Sequence, residues 1–326
     1  MARLNYETAD TLIYDPVGAH RNATRAVLYT LGFRNIEVCG TLEDLSRIIK
    51  RVPPDLVLCE AQGADAELCA MIQTMRQGGG GHANPFLVII VTAWEKSRPL
   101  VTRVLNSGAD DLVLRPFSTN LLKSRIDTHA ERRKHFVITH DYVGPDRRND
   151  PYRASDVQLF QPPNSLKMKA KDGLNLTEVA NRLQAELRVA KDTLTIEKLR
   201  RDAFQICILW RLLQEPEDLS TDANLSKLTL LAQSVAKRCR EIELETALQW
   251  CDSIIAAAEG LHFGVDRNAS MHILGQGALN LNQIIHPDLP KSDHMRAIDE
   301  AMAMITARGG TSANGEELLL DKTAAG

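Results

Sequence analysis

The sequence has no uninterrupted apolar run near the ~18 residues that a membrane-spanning helix needs. Its longest apolar stretches, such as Phe86–Val91, are strand-sized. The opening MARLNYETADTLIYD lacks a cationic segment followed by an apolar one, so no secretory signal is read there. The six cysteines (Cys39, Cys59, Cys69, Cys207, Cys239, Cys251) are scattered and contain no CxxC pair. They read as small buried hydrophobes of a reducing cytoplasm, rather than as a disulfide or zinc framework. Aromatics are scarce at 5%, and stripes of Leu, Ala and Ile stand in their place, which leans toward helix. A net charge of −3 argues against a chain-wide binder of nucleic acid or anionic membrane. Also missing are a Walker lysine loop, GxSxG, HExxH, GGDEF-like or EAL-like signatures, a kinase ATP-lid pattern and a helix-turn-helix. No tandem repeat is found. These absences point away from an enzyme.

The chain has 326 residues, which predicts about two domains. Residues 1–133 read as the first. Short apolar runs at Thr11–Tyr14, Ile36–Val38, Leu56–Cys59, Phe86–Val91 and Asp111–Leu114 suit strands buried on both faces. Between and after them lie helix-length segments at Ala19–Leu31, Leu42–Arg51, Ala64–Met75, Ser97–Ser107 and Ser118–Arg133. Five βα units predict an α/β, flavodoxin-like, doubly wound parallel sheet of order 2-1-3-4-5. The run Gly78–Gly81 reads as a surface loop, since no Lys-Ser/Thr follows it to cradle a phosphate. Residues 134–173 are rich in Pro, Asn, Asp and Arg and read as an interdomain linker. Residues 174–307 have helical periodicity with turn signals at Gly260, Asp266–Asn268 and His286–Pro290, which predicts an all-α bundle. Residues 308–326 read as a disordered tail.

In an open parallel sheet the site lies at the C-terminal ends of the strands. The residues there are Asp15, Glu60, Thr92 and Arg115. The segments LIYD (Leu12–Asp15), PDLVLCE (Pro54–Glu60), VIIVTA (Val88–Ala93) and SGADDLVLRPF (Ser107–Phe117) follow in order. In these the first domain resembles the receiver domain of a two-component response regulator. The resemblance implies a phosphoryl-accepting carboxylate, a Mg²⁺ held by neighbouring acids, a lysine and a Ser/Thr hydroxyl, which together neutralise charge on a transferring phosphoryl group.

The sequence departs from that pattern. Glu60 stands at the acceptor position. Pro16 takes the place of a second acid after Asp15, which leaves Asp15 as a weak metal ligand, since Mg²⁺ demands near-octahedral oxygen ligation. Arg115 replaces the lysine, and Leu112 stands where an aromatic switch residue is common. Only Thr92 matches. The extra methylene of Glu60 carries its carboxylate ~1.5 Å further. The expectation is a bidentate Glu60–Arg115 pair standing in for the phosphorylated state, with no cofactor and Mg²⁺ doubtful. The plainer alternative is a surface ion pair worth ~0–1 kcal/mol.

Three further features carry candidate roles. Arg147 and Arg148, in the GPDRR segment that comes after the receiver-like part, read as contacts for an acidic partner or a phosphate. With Arg132 and Arg133 they offer a basic patch to nucleic acid, blunted by the interleaved acids Glu131, Asp141, Asp146 and Asp150. His272, in SMHILGQGALNLNQII, resembles the helical histidine of a phosphotransfer domain, but Gly275 and Gln276 follow where Lys-Gly is expected. The stripe Leu176, Val179, Leu183, Leu187, Ala190, Leu194 reads as the core face of a bundle helix, or as a seam joining two copies of the chain.

The reading is a cytoplasmic bacterial signalling regulator of the two-component or phosphorelay type. It works through phosphorylation-independent contact with another signalling protein, off the membrane. The rivals are a phosphate-accepting regulator using Glu60, Asp15 or His272, and a nucleic-acid regulator using the basic linker.

Overall fold

The computed structural model describes residues 4–139, 142–147, 159–214 and 221–307. The chain divides into two compact units, Met1–Leu194 and Thr195–Gly326. In the first, β1 (Asp10–Tyr14), β2 (Asn35–Cys39), β3 (Leu56–Glu60), β4 (Val88–Ala93) and β5 (Asp111–Leu114) form one parallel sheet of order β2-β1-β3-β4-β5. This is the flavodoxin-like arrangement that the five βα units predict. β3 and β4 are buried at every position, which is why they read as unbroken apolar runs, whereas the edge strand β2 alternates.

The helices of these units are α1 (Gly18–Thr30), α2 (Leu42–Arg51), α3 (Asp65–Arg76), α4 (Arg98–Asn106) and α5 (Thr119–Arg132). Thr41, Ser97 and Ser118 cap α2, α4 and α5 by accepting the N–H groups of Asp44, Leu100 and Leu121. The two faces of the sheet are covered by separate apolar clusters, one built on Leu12, Val57, Ile89 and Val91, the other on Ile13, Leu58, Val88 and Ile90.

The linker reading of residues 134–173 is corrected. β6 (Phe136–Ile138), β7 (Val143–Pro145) and β8 (Leu159–Phe160) form a second, antiparallel sheet of order β7-β6-β8. Phe86, Phe136 and Phe160 pack edge to face, with centroids 5.5–6.1 Å apart. Gly108, at φ +85°, and Gly144 allow β7 to lie against the turn before β5: a β-carbon at Gly108 would fall 2.3 Å from the Val143 carbonyl oxygen. α6 (Ser165–Ala170) comes next, and its Lys169 Nζ lies 2.7 Å from both Asp10 and Asp55 carboxylates. Strands of two or three residues are too short to show a period, so the sequence hides them.

One member of the basic patch is corrected with it. Arg133 is buried, with Nε 2.8 Å from Asp110 Oδ1 and Nη2 3.0 Å from Oδ2. It also donates to the carbonyls of Phe86, Leu87 and Pro163. From α3, buried Arg76 meets Asp110 Oδ2 at 2.9 Å and donates to the carbonyls of Pro85 and Gly108. Both guanidiniums lie over the Phe136 ring, at 5.3 and 4.8 Å from its centroid.

α7 (Leu176–Leu212) is one continuous helix, and the division between the units falls inside it. Its apolar stripe is neither bundle core throughout nor a free dimer seam. Leu187 and Ala190 pack with Phe86, Phe136 and Phe160, Leu194 packs with Ile138 and Val143, and Leu176 is 66% exposed. The domain boundary expected at 173/174 therefore lies some twenty residues early. The second unit contains the rest of α7 with α8 (Thr221–Glu241), α9 (Glu245–His262), α10 (Arg267–Ile285) and α11 (Lys291–Ala307) around one core that includes Ile206, Trp210, Val235, Ile254 and Leu281. All six cysteines are buried and unpaired by disulfides. The tail expected at 308–326 lies outside the described residues.

Burial opposes ionisation of Asp110, but Arg133 and Arg76 outweigh it and hold the carboxyl below its ordinary range. Its stabilisation is therefore present above about pH 4 and lost as the pH falls toward its folded value. Asp110→Ala leaves two guanidiniums buried without their counter-charge and should cost about 3–5 kcal/mol in denaturant unfolding. The same variant should lose part of the acid-induced destabilisation of the wild type below pH 4.

Candidate functional site

The C-terminal ends of β1, β3, β4 and β5 bring together all four residues singled out from the sequence. Arg115 directly follows β5, and its peptide bond to Pro116 is cis. Its guanidinium is only 8% exposed and reaches inward over the strand ends. Arg115 Nε lies 2.7 Å from Glu60 Oε2, and the Thr92 hydroxyl donates to the same oxygen at 2.8 Å. Glu60 and Thr92 are register partners on adjacent strands, which is why a residue one methylene longer than Asp meets that hydroxyl.

The bidentate fork expected between Arg115 and Glu60 does not form. Arg115 Nη2 turns instead to Thr24 Oγ1 at 3.0 Å and to Asp15 Oδ2 at 3.4 Å. One guanidinium thus bridges two fully buried carboxylates. The surface-pair alternative fails on burial: both carboxylate side chains are 0% exposed. The remaining oxygens are also engaged. Asp15 Oδ1 accepts the Val17 N–H at 2.9 Å, and Glu60 Oε1 accepts the Gln62 N–H at 3.0 Å. Every carboxylate oxygen of the pocket therefore faces an N–H or O–H donor.

Several contributors were missed from the sequence. Thr24 and His20 lie on α1 four residues apart, on the face toward β1. His20 Nδ1 is 3.7 Å from Asp15 Oδ1, and its ring stacks at a tilt on Trp94, centroids 5.0 Å apart. Phe117 and Trp94 face the Arg115 guanidinium at 4.9 and 5.9 Å. The i, i+4 spacing of His20 and Thr24 was the available signal. Beside Glu60, burial pushes the Cys59 thiol well above its ordinary range, so it is no nucleophile. Leu112, at the switch position, pairs in register with Val91 and packs onto the sheet cluster.

The order β2-β1-β3-β4-β5 is the one that the receiver resemblance implies. No family model matches the sequence, and no curated protein matches it. Among solved structures, it is similar to a signal receiver domain of two-component signal transduction from Clostridium thermocellum. That likeness has 16% identity and a TM-score of 0.33, and covers 37% of this chain and 97% of that one. A response regulator from Thermotoga maritima is 20% identical, with a TM-score of 0.32 over 37% of this chain and 96% of that one. A response regulator receiver domain from Bermanella marisrubri is 19% identical, with a TM-score of 0.33 over 37% and 97%.

The other candidates lie apart from this pocket. Arg147 Nη2 donates to the Ala109 carbonyl at 2.5 Å, and its Nε donates to Tyr142 Oη at 3.3 Å, so its guanidinium is tied to its own unit. Arg148 lies outside the described residues. Arg133 is buried as well, so two of the four arginines read as a basic patch are engaged inside the unit, while Arg132 is exposed. His272 is exposed on α10. The glycines after it serve packing: a β-carbon at Gly275 would fall 2.6 Å from the Trp210 ring, and one at Gly277 would fall 2.7 Å from Ile254. Among the described residues no three His, Cys, Asp or Glu side chains group as a metal site, and no helix is long and apolar enough to cross a membrane.

Glu60→Ala leaves Arg115 buried with Asp15 as its one remaining counter-charge. The expected loss is about 3 kcal/mol in chemical unfolding. A loss below about 1 kcal/mol would mean that the pair behaves as a solvated one.

Proposed function

We propose that the first unit is a receiver-like module of a two-component signalling regulator, held in one state by its own arginine, and that it acts by contact with another signalling protein. The observation that carries this reading is the shared oxygen, Glu60 Oε2, which takes both the Arg115 Nε–H and the Thr92 hydroxyl inside the pocket. In the pattern it resembles, a hydroxyl and a basic side chain wait for phosphoryl oxygens. Here the carboxylate of Glu60 supplies the oxygen that they bind. A carboxylate engaged on both oxygens has to break two or more hydrogen bonds before it can attack a phosphodonor.

The same geometry argues against a resident divalent cation. Mg²⁺ takes an octahedron of oxygens at short distance. The two carboxylates that would provide them already share a guanidinium, and Pro16 contributes no side-chain oxygen. We therefore assign the pocket no metal and no phosphate-transfer step. On this reading the protein is a non-enzymatic, cytoplasmic regulator.

Purified protein incubated with acetyl phosphate and Mg²⁺ should show no added mass by intact mass spectrometry. Glu60→Asp withdraws the carboxylate by one methylene from Thr92 and Arg115, and the shorter carboxylate should itself gain a phosphoryl group. Phosphate on the wild type at Glu60 or Asp15 would overturn the locked-state reading. Phosphate mapped to His272 would instead move phosphate handling to the helical unit.

A further inference from the structure

Two cysteines of the helical unit face each other across α8 and α9. Cys239 lies in the last turn of α8 and Cys251 in the second turn of α9, with the short turn Ile242–Leu244 between the helices. Both side chains are 0% exposed and belong to the core of the unit. The same core takes Ala232 and Ala236 from α8, and Ala247 and Ala258 from α9, small residues that let the two helices approach. Packed helix axes lie ~8–10 Å apart, and Cα atoms stand ~2.3 Å off each axis. Facing residues therefore have Cα atoms about 5 Å apart, a separation that a disulfide spans.

The two thiols interact. The Cys251 S–H donates a hydrogen bond to the Cys239 sulfur. That bond, with the guanidiniums of Arg238 and Arg240, holds the Cys239 thiol below its ordinary range, against the opposing effect of burial. The donor, Cys251, keeps its proton and is pushed up, and burial adds to this. Burial also raises the other four thiols: Cys39 and Cys69 to about 11, Cys207 to about 12, and Cys59 well above the ordinary range. Cys207, the third thiol of this core, is engaged elsewhere, donating to the Ala278 carbonyl at 3.3 Å. Of the six thiols, Cys239 is thus the one biased toward thiolate, and it already has a second thiol as its partner. The thiolate is the form that reacts with a peroxide, and a neighbouring thiol turns the product into a disulfide. Cys239 sits two residues from the end of α8, where the Leu244 N–H closes on its carbonyl at 2.8 Å. Helix ends open locally at little cost, and hydrogen peroxide is small and uncharged, so it reaches a sulfur that bulkier reagents do not.

We propose that Cys239 and Cys251 form a peroxide-responsive thiol pair, in which Cys239 is oxidised and Cys251 resolves it. The Cys239 thiolate attacks one oxygen of hydrogen peroxide: an S–O bond forms, the O–O bond breaks and hydroxide leaves. The sulfur gives up an electron pair, and the peroxide is reduced. The Cys251 sulfur then displaces hydroxide from the sulfenic acid: the S–S bond forms, the S–O bond breaks, and the Cys251 proton leaves with that hydroxide as water. In sum, a pair of thiols and one hydrogen peroxide give one disulfide and a pair of waters. The bridge ties α8 to α9 across their turn, and it involves no residue of the pocket at the sheet end.

Hydrogen peroxide added to the full chain under native conditions, followed by denaturation, alkylation and peptide mapping, tests the pair. A peptide cross-linked through Cys239 and Cys251 should appear, reverse with dithiothreitol, and leave the other four of the six cysteines alkylated. In Cys251→Ser no thiol resolves, so Cys239 should stop at the sulfenic acid and take up dimedone. In Cys239→Ser, Cys251 should stay reduced. The proposal is overturned if the wild type keeps all six thiols free, if the bridge joins any other pair, or if Cys251 still oxidises in Cys239→Ser. It is also overturned if the bridge forms no faster in the folded chain than in urea. That last comparison uses the wild type alone, so it decides the matter even where serine in the core prevents folding.

Discussion

One carboxylate organises the first unit. Asp110 is shared by Arg76 and Arg133, and its Oδ2 also accepts the Ile89 N–H at 2.9 Å. Buried ions are tolerated only when paired and hydrogen-bonded, and here every guanidinium edge finds a carbonyl or the carboxylate. Those carbonyls belong to the segment before β4, the turn before β5 and residue 163, so the pairing gathers distant stretches of chain at one end of the sheet. It also seats Phe136 between the two cations, which anchors the second sheet. The short strands after α5 are therefore part of the unit's core.

The opposite end of the same sheet has a similar chemical solution with another use. There one guanidinium, Arg115, is shared by two buried carboxylates, Asp15 and Glu60, and it also donates to the hydroxyls of Thr24 and Thr92. A pocket at strand C-termini is where α/β sheets place ligands. An internal cation at that place makes the pocket self-complementary, and the energetic logic of burying charge then resists anything that would separate the partners.

In the helical unit the packing is set by small residues. Gly275 admits Trp210 and Gly277 admits Ile254, so helices approach where a side chain would hold them apart. Polar atoms inside such a bundle have few alternatives to one another, which is why the buried Asn282 amide meets His294 Nδ1 at 2.7 Å.

The sequence by itself determined what is periodic or punctuated. Long apolar runs gave the five strands, steps of three and four gave the helices, and order with the LIYD, PDLVLCE, VIIVTA and SGADDLVLRPF segments placed Asp15, Glu60, Thr92 and Arg115 at one end of the sheet. Only the tertiary structure decided which atoms meet. Arg115 divides its nitrogens between Glu60 and Asp15 because Thr24 and Thr92 offer partners on either side, and α1 brings Thr24 there from outside every strand motif. The three strands after α5 stayed hidden because two or three residues cannot display a period, and because their stability comes from Asp110 and Phe86, far away along the chain. A side chain's type and face are local properties, whereas its partner is fixed by chain segments that meet only on folding.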